Sequence, residues 1–578
     1  MTWYGKFNAG ISGGAPRSRA TPASFAADQG GSLTIFTFYA MVIMLFVGGM
    51  AYDIMRFEAE RVRTQAAMDR SVLAAASLTQ VLPAQDVVES YFEVAGLDKT
   101  SVTVSEDGDG ITSSVVNISS ETRVPTRFLR LMDYSLTMGA FGKRFENSKG
   151  VFELASGMAA GATENIPQLE ISLVLDASGS MGWNQRLKNM QAAAKEFSWH
   201  MLCDPGSDLN SNGNCSVTPG LVSISLVPFS EQVNAGPYLL DGIDDPNLTS
   251  YDITDEHDYS HCLNFTEADF NTTNLAASTD INRTGHFDPW NTYSTTVGNW
   301  ACRTETWRYI RPFVAHHSNL NYLINNLRAG GNTSIDIGMK WGTALLDPEL
   351  RDMISDLSEV ARVGGAPAVE PDFPENRPLD FDDPEAVKIV VLMSDGENTT
   401  QHELKPDFRS GPSEFWKSVE ADNDNTDKDG DFYVVYNAGR DQYYYPEYGG
   451  YADSPYYRRI CNGGCNFEER PDQVSQMSYP ALWAEVNTDY FEDFSFLPRV
   501  WDGHGNWEKN QRLNAVCTQA KQAGIIVFTV GFEAPNNGRT ALRNCASSIN
   551  HYYDAEGRSI SDAFNNIALA INNLRLTQ

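Results

Sequence analysis

Three short oxygen side chains stand at alternate positions in Asp176-Ala177-Ser178-Gly179-Ser180, and Gly179 and Gly182 loosen the backbone around them. Carboxylate and hydroxyl donors spaced this way on one loop can converge on a hard cation. Mg²⁺ takes about six oxygens at ~2.1 Å and needs few protein charges, because waters complete its shell. The same residue types also punctuate ordinary turns, so the chemistry depends on what else the chain brings to this loop. Two later stretches contribute. NNLRAGGNTSIDIGMKWG (325–342) reads as a helix end, a Gly-Gly turn and Thr333 opening another helix. EAVKIVVLMSDGEN (385–398) reads as a buried strand ending in Ser394-Asp395-Gly396. Together they strengthen the reading of one Mg²⁺ (or Mn²⁺ or Ca²⁺) held at this loop.

Such a loop needs rigid elements on both sides. Leu169, Ile171, Leu173, Val174 and Leu175 form a short apolar run before it, the pattern of a strand buried on both faces. Leu187, Met190, Ala194 and Phe197 recur at helical spacing after it. The oxygens therefore fall at the carboxyl end of a strand, where open α/β sheets bind ligands. Further strands are expected at 221–229, at 387–393, at IIVFTVGF (525–532) and, as an edge, at Tyr552-Tyr553. Helices are expected at 318–327 with Ser318 as its cap, at 507–523 (Leu513, Val516, Ala520) and at the end (Phe564, Ile567, Ile571, Leu574). Alternating strands and helices predict an α/β fold with a doubly wound, mostly parallel sheet over residues 166–578. Two segments, about 231–315 and 399–506, are too long and polar for the basic domain. They read as large insertions that leave the sheet near Ser180, Thr333 and Asp395 and wall the site.

With all three stretches in view, 166–578 resembles the von Willebrand factor type A domain and its metal-ion-dependent adhesion site. The resemblance implies roles residue by residue. Ser178 and Ser180 match the hydroxyl ligands, Thr333 the distant threonine, and Asp176 and Asp395 the aspartates that bind directly or through water. It also implies one coordination position left for a carboxylate on a protein partner. The gap from Ser180 to Thr333 exceeds the family norm, so the insertions must loop out.

The chain has 578 residues and a formal net charge of −32. That charge argues against nucleic acid as a partner and suits solubility or cation binding. Residues 33–52 form an uncharged 20-residue apolar run, long enough to span a bilayer and too long for a signal-peptide core. Lys6, Arg17 and Arg19 precede it, whereas Arg56, Arg61 and Arg63 follow it closely. All eight cysteines lie beyond the span, which favours disulfides in an oxidising compartment. Pairing of sequence neighbours is expected: 203 with 215, 262 with 302, 461 with 465 and 517 with 545. A zinc site is the rival, but no paired C-x-x-C or His spacing supports it. The expected topology is a single-pass bacterial inner-membrane protein with a cytoplasmic amino terminus and a periplasmic or surface-exposed bulk.

Residues 1–32 read as a disordered cytoplasmic tail. After the span, 53–82 continues without Gly or Pro. Asp53, Arg56, Glu60 and Arg63 are set against Ile54, Phe57, Val62, Ala66 and Leu73, an amphipathic continuation that would extend the helix to roughly 75 Å. Gly30-Gly31-Ser32, Asp53 and the run from Gln65 to Ala76 resemble the amino-terminal segment of TadG-like proteins of the Tad (Flp pilus) assembly system. The closing LRLTQ (574–578) fits the same family. The resemblance implies a pilin-like helix coupled to a type A domain, with other Tad pilus components and the inner membrane as partners. No Glu lies early in the apolar run, so prepilin-type cleavage is not expected. Residues 83–165 read as a small β-rich spacer.

Weaker motifs have plainer readings. Asn425 to Gly430 resembles the start of a Ca²⁺ loop, with Asp427 and Asp429 as donors, but Tyr436 stands where its final Glu would be. His257 and His261 are spaced i, i+4, with Cys262 expected in a disulfide. His316-His317 read as surface residues. The chain lacks G-x-x-x-x-G-K-[ST] and H-E-x-x-H, and no base pairs with Ser180 by spacing. The expected function is cation-dependent protein binding in Tad pilus assembly or adhesion, not turnover. The alternatives are an envelope or pilus scaffold whose metal only stabilises loops, and a type A protein of another periplasmic complex.

Overall fold

The computed structural model describes residues 31–77, 82–98, 101–107, 113–129 and 153–165 of a first compact unit, which ends at Asn165. In the second unit it describes 168–359 apart from 205, 211, 212, 219 and 294; 361–419 apart from 364, 365 and 371–376; and 432–575 apart from 462–464. Residues 1–30 of the tail expected at 1–32, and the loop of Asp427 and Asp429, lie outside the described residues, while Gly31 and Ser32 open a helix.

In the first unit, α1 (Gly31–Ala76) runs unbroken. It is long and apolar enough to cross a membrane, its most apolar 18 residues having a mean hydropathy of 2.1. Leu33, Ile35, Phe36, Ile43, Met44 and Leu45 are all exposed on it. Each such side chain forgoes about 1.5–3 kcal/mol if left in water, so leaving this surface in water is costly. Lower down, α1 buries Thr64, Ala67, Met68, Ser71, Val72 and Ala75, one helical stripe. The stripe packs against α2 (Ala84–Val94) and a three-stranded antiparallel sheet, β1 (Val102–Asp107), β2 (Ser113–Pro125) and β3 (Glu153–Asn165). On β2, Val116, Ile118, Ser120, Thr122 and Val124 turn inward at every second position.

This corrects two expectations. The spacer opens with a helix, whose buried stripe is Ala84, Val87, Val88 and Phe92. The inward face of the amphipathic segment is also not that of Ile54, Val62 and Leu73, which are exposed, while Asp53 is buried. The reason is polar. The Asp53 carboxylate accepts the backbone N–H groups of Arg127, Phe128 and Leu129 at 2.6–3.1 Å, and Phe128 stacks edge-on against Tyr52. Removing one acceptor of three backbone donors costs about 1–3 kcal/mol for each donor left dry. Asp53→Ala should therefore raise amide exchange at 127–129 by about 100-fold or more, read by hydrogen–deuterium exchange. Unchanged protection would show that the cap is dispensable.

The second unit is organised around a six-stranded sheet. In chain order its strands and the helices beside them are β4 (Gln168–Asp176), α3 (Arg186–Leu202), β5 (Val222–Phe229), β6 (Arg311–Val314), α4 (His317–Asn326), α5 (Ile335–Ala344), β7 (Ala386–Ser394), α6 (Asn506–Gln522), β8 (Ile526–Phe532), α7 (Asn536–Cys545), β9 (Tyr552–Ala555) and α8 (Ser559–Arg575). The spatial order is β9-β8-β7-β4-β5-β6. Every pair is parallel except β5–β6 at one edge. Alternation along the strands sends Ile171, Leu173, Ile224, Ile389, Val391 and Phe528 into a layer with α3, α4 and α8. It sends Val174, Val227, Val390, Leu392 and Val527 into another with α5, α6 and α7.

Three expected disulfides are present: Cys203–Cys215, Cys262–Cys302 and Cys517–Cys545, the last joining α6 to α7. The backbone register sets Cys461 opposite Cys465. Ser318 is not a cap. The helix begins at His317 with His316 at its cap position, and Glu370 accepts the N–H groups of Ala315 and His316 instead. His317 is buried rather than superficial, its ring edge-on to Trp199. The segment 399–506 packs around a core of Phe415, Leu482, Trp483 and Phe491, which Phe287 and Ala301 of the 231–315 segment join. It joins the sheet domain through a strand pair, Gln401–Leu404 with Trp501–His504.

Candidate metal centre

The carboxyl ends of β4 and β7, neighbours in the sheet, bring Asp176 and Asp395 together from positions far apart in sequence. Four of the five nominated residues share one hydrogen-bond chain. Ser394 Oγ donates to Asp176 Oδ2 at 2.6 Å, and the Ser178 amide donates to Asp176 Oδ1 at 2.8 Å. The Ser178 and Ser180 hydroxyls lie 3.0 Å apart, and Ser180 Oγ donates to Asp395 Oδ1 at 2.7 Å. Thr333 is held beside this chain by its backbone. The Gly179 amide donates to Gly331 O, and the Gly330 amide to Ala177 O, both at 2.9 Å. Thr333 N donates to Thr399 Oγ1 and Thr333 O accepts from Thr399 N, which fastens the threonine loop to the loop after β7. Gly331 has φ +91°, where side chains are strained, and a Cβ on Gly179 would stand 3.2 Å from Gly331 O. Glycine at both positions lets the two loops touch.

The electrostatics favour a cation. Asp176 and Ser178 are fully buried. Burial, with the negative charge of Asp395 added, pushes the Asp176 carboxyl up to about 7. Burial also raises Asp395, opposed by Ser180 and Arg186. Two carboxylates confined in a dry site repel each other, and a divalent ion between them would relieve that. The donor set is all oxygen and mostly neutral, which matches a hard ion such as Mg²⁺. Among the described residues, no group of three or more His, Cys, Asp or Glu side chains is placed to hold a metal. The hydroxyls are thus essential to any such role here. His257 Nε2 lies 2.9 Å from Thr284 O, and Cys262 is in a disulfide.

Several participants were not nominated by sequence. Ser394 supports Asp176, as above. Arg186 at the start of α3 pairs with Asp395 at 2.9 Å and Glu533 at 2.8 Å. Lys509, fully buried, donates to Thr333 O (2.8 Å), Thr399 O (2.8 Å) and Ser334 Oγ (2.6 Å). Its sequence signal is a charge on an inward stripe, one turn before Leu513 and in line with Val516 and Ala520. The two insertions meet here as well. Ser334 Oγ donates to Glu231 O, and the Glu231 carboxylate accepts from the His402 amide and from Trp290 Nε1.

No curated protein matches this chain. Among solved structures, it is similar to the von Willebrand factor domain of the type V pili tip protein Mfa5 from Porphyromonas gingivalis, at 15% identity, with 71% of this chain and 96% of that chain covered and a TM-score of 0.29. It is similar to the PilB minor pilin from Streptococcus sanguinis at 10% identity (82% and 77% covered, TM-score 0.27). It is also similar to the pilus adhesin SpaC from Lactobacillus rhamnosus GG at 12% identity (81% and 33% covered, TM-score 0.25). Residues 31–78 match the family described as putative Flp pilus-assembly TadE/G-like.

Proposed function

We propose that this chain is a membrane-anchored component of Tad/Flp pilus assembly or adhesion, whose second unit is a doubly wound type A domain binding an acidic protein partner through a divalent cation. The carrying observation is the meeting of three loops, distant in sequence, at the carboxyl ends of β4 and β7. Asp176, Ser178, Ser180, Thr333 and Asp395 would hold the ion, with Mg²⁺, Mn²⁺ or Ca²⁺ as the candidates. When bound, the ion would supply a Lewis-acidic point for a carboxylate of the partner. The protein's own part is to exclude water around Asp176, to align the hydroxyls and to keep the site shallow at Ser180.

The TadE/G-like match covers α1 and supports the pilus setting. The exposed apolar surface of that helix supports anchoring in the inner membrane, and the disulfides support a periplasmic or surface location for the second unit.

The test is the melting of the full chain in detergent with Mg²⁺ and with chelator. At 100-fold excess over Kd the cation should add about 2.7 kcal/mol, an upward shift of several degrees for the second unit. Identical melting in both would remove the cation from the account.

A further inference from the structure

Arg186 is held over the site by more than its own two ion pairs. Asn184 and Gln185, the residues immediately before it, have φ values of 50° and 60°, and Glu533, its second partner, has φ 54°. Three non-glycine residues thus adopt a left-handed backbone that side chains seldom tolerate, and all three flank this one guanidinium. Asp395 is closed in, with its Oδ1 occupied by Ser180 and its Oδ2 by Arg186, while the Arg186 side chain keeps 18% of its surface. Glu533 is fixed in turn, since its other oxygen accepts the Gly557 amide. The three residues therefore form a rigid Glu–Arg–Asp chain that ends on a proposed cation ligand.

We infer that Arg186 is a resident counter-ion that sets the charge of this site. It shares Asp395 with any cation that enters, lowers affinity for that cation, and leaves the bound ion more electron-poor toward an acidic partner. Glu533 acts in the opposite sense by neutralising part of the guanidinium's charge. Neither is a ligand; both are positioning residues that tune one. The inference rests on the cation reading above.

Its test is a titration of the full chain in detergent with Mn²⁺, free ion being read by electron paramagnetic resonance. Arg186→Gln should bind Mn²⁺ about tenfold more tightly, the size of effect expected for one screened charge a few ångströms away. Glu533→Gln should bind it several-fold more weakly, and Arg186→Lys should stay near wild type. A merely structural role would weaken binding in both neutral variants, so the opposite signs are the signature. If the wild type binds one Mn²⁺ per chain and Arg186→Gln does not tighten it, this inference falls while the cation reading stands. If the wild type binds none, the cation reading itself falls. Should Arg186→Gln fail to fold by near-ultraviolet circular dichroism, Arg186→Ala is read in its place: tighter binding than wild type upholds the inference, and unchanged or weaker binding overturns it.

Discussion

Asp176→Ala is expected to erase the cation-dependent stabilisation of the second unit, with at least a 100-fold loss of Mg²⁺ or Mn²⁺ affinity. Asp176 is the most deeply enclosed carboxylate of the cluster. One of its oxygens is committed to the Ser178 amide and the other to Ser394 Oγ. Its removal deletes a carboxylate ligand from a site where solvent screening is weak, and it frees the serine loop from the end of β7. The chelated variant should lose only the cost of a stranded amide and hydroxyl, about 1–3 kcal/mol, so the fold survives while the response to cation disappears. Isothermal titration and paired melting curves separate the two effects. Retained affinity in a folded Asp176→Ala protein would contradict the site.

Lys509→Met is expected to be the most damaging single change to stability, about 3–5 kcal/mol, the cost typical of leaving a buried charge without its partner. Burial raises the Asp336 carboxyl above its usual range, opposed first by Lys509 and then by Arg512. Neither oxygen of Asp336 has a hydrogen-bond partner among the described residues. Without the ammonium, that carboxylate loses its main compensating charge, and the carbonyls of Thr333 and Thr399 lose a donor. Urea unfolding followed through Trp341, which is fully buried in this unit, would read the loss. The variant should also bind cation more weakly, because Lys509 fastens the threonine loop to the loop after β7. A Lys509→Met protein as stable as wild type would mean that the buried cluster relaxes around the apolar side chain.

Much of the second unit was legible from periodicity. The apolar runs of β4, β5, β7 and β8 are buried on both faces, which short β-branched segments ending in Gly, Ser or Asp signal directly. The stripes of α3, α6 and α8 follow their 3.6-residue spacing. Legibility failed where a polar contact overrides the pattern. Ile54, Val62 and Leu73 looked like the inward face of α1, but Asp53 is turned inward to cap 127–129, and small residues such as Ala67 and Ala75 do the packing. The helix at Ala84–Val94 was hidden behind Pro83 and a short stripe. The burial of His317 has no local signal, because nothing in its neighbourhood announces Trp199.

At the site, donor types were readable because they cluster at strand ends. The residues that support them were not, since Ser394, Arg186, Lys509 and Glu533 act through contacts spanning more than a hundred positions. The insertions defeated local reading for the same reason. Glu231 and His402 meet across 171 positions, a contact that only the closed sheet creates.

Crystals of the protein soaked with Mn²⁺ and measured for anomalous scattering test the central claim most directly. The account predicts one strong peak enclosed by Asp176, Ser178, Ser180, Thr333 and Asp395. A fully loaded crystal with no peak between those five side chains would contradict it.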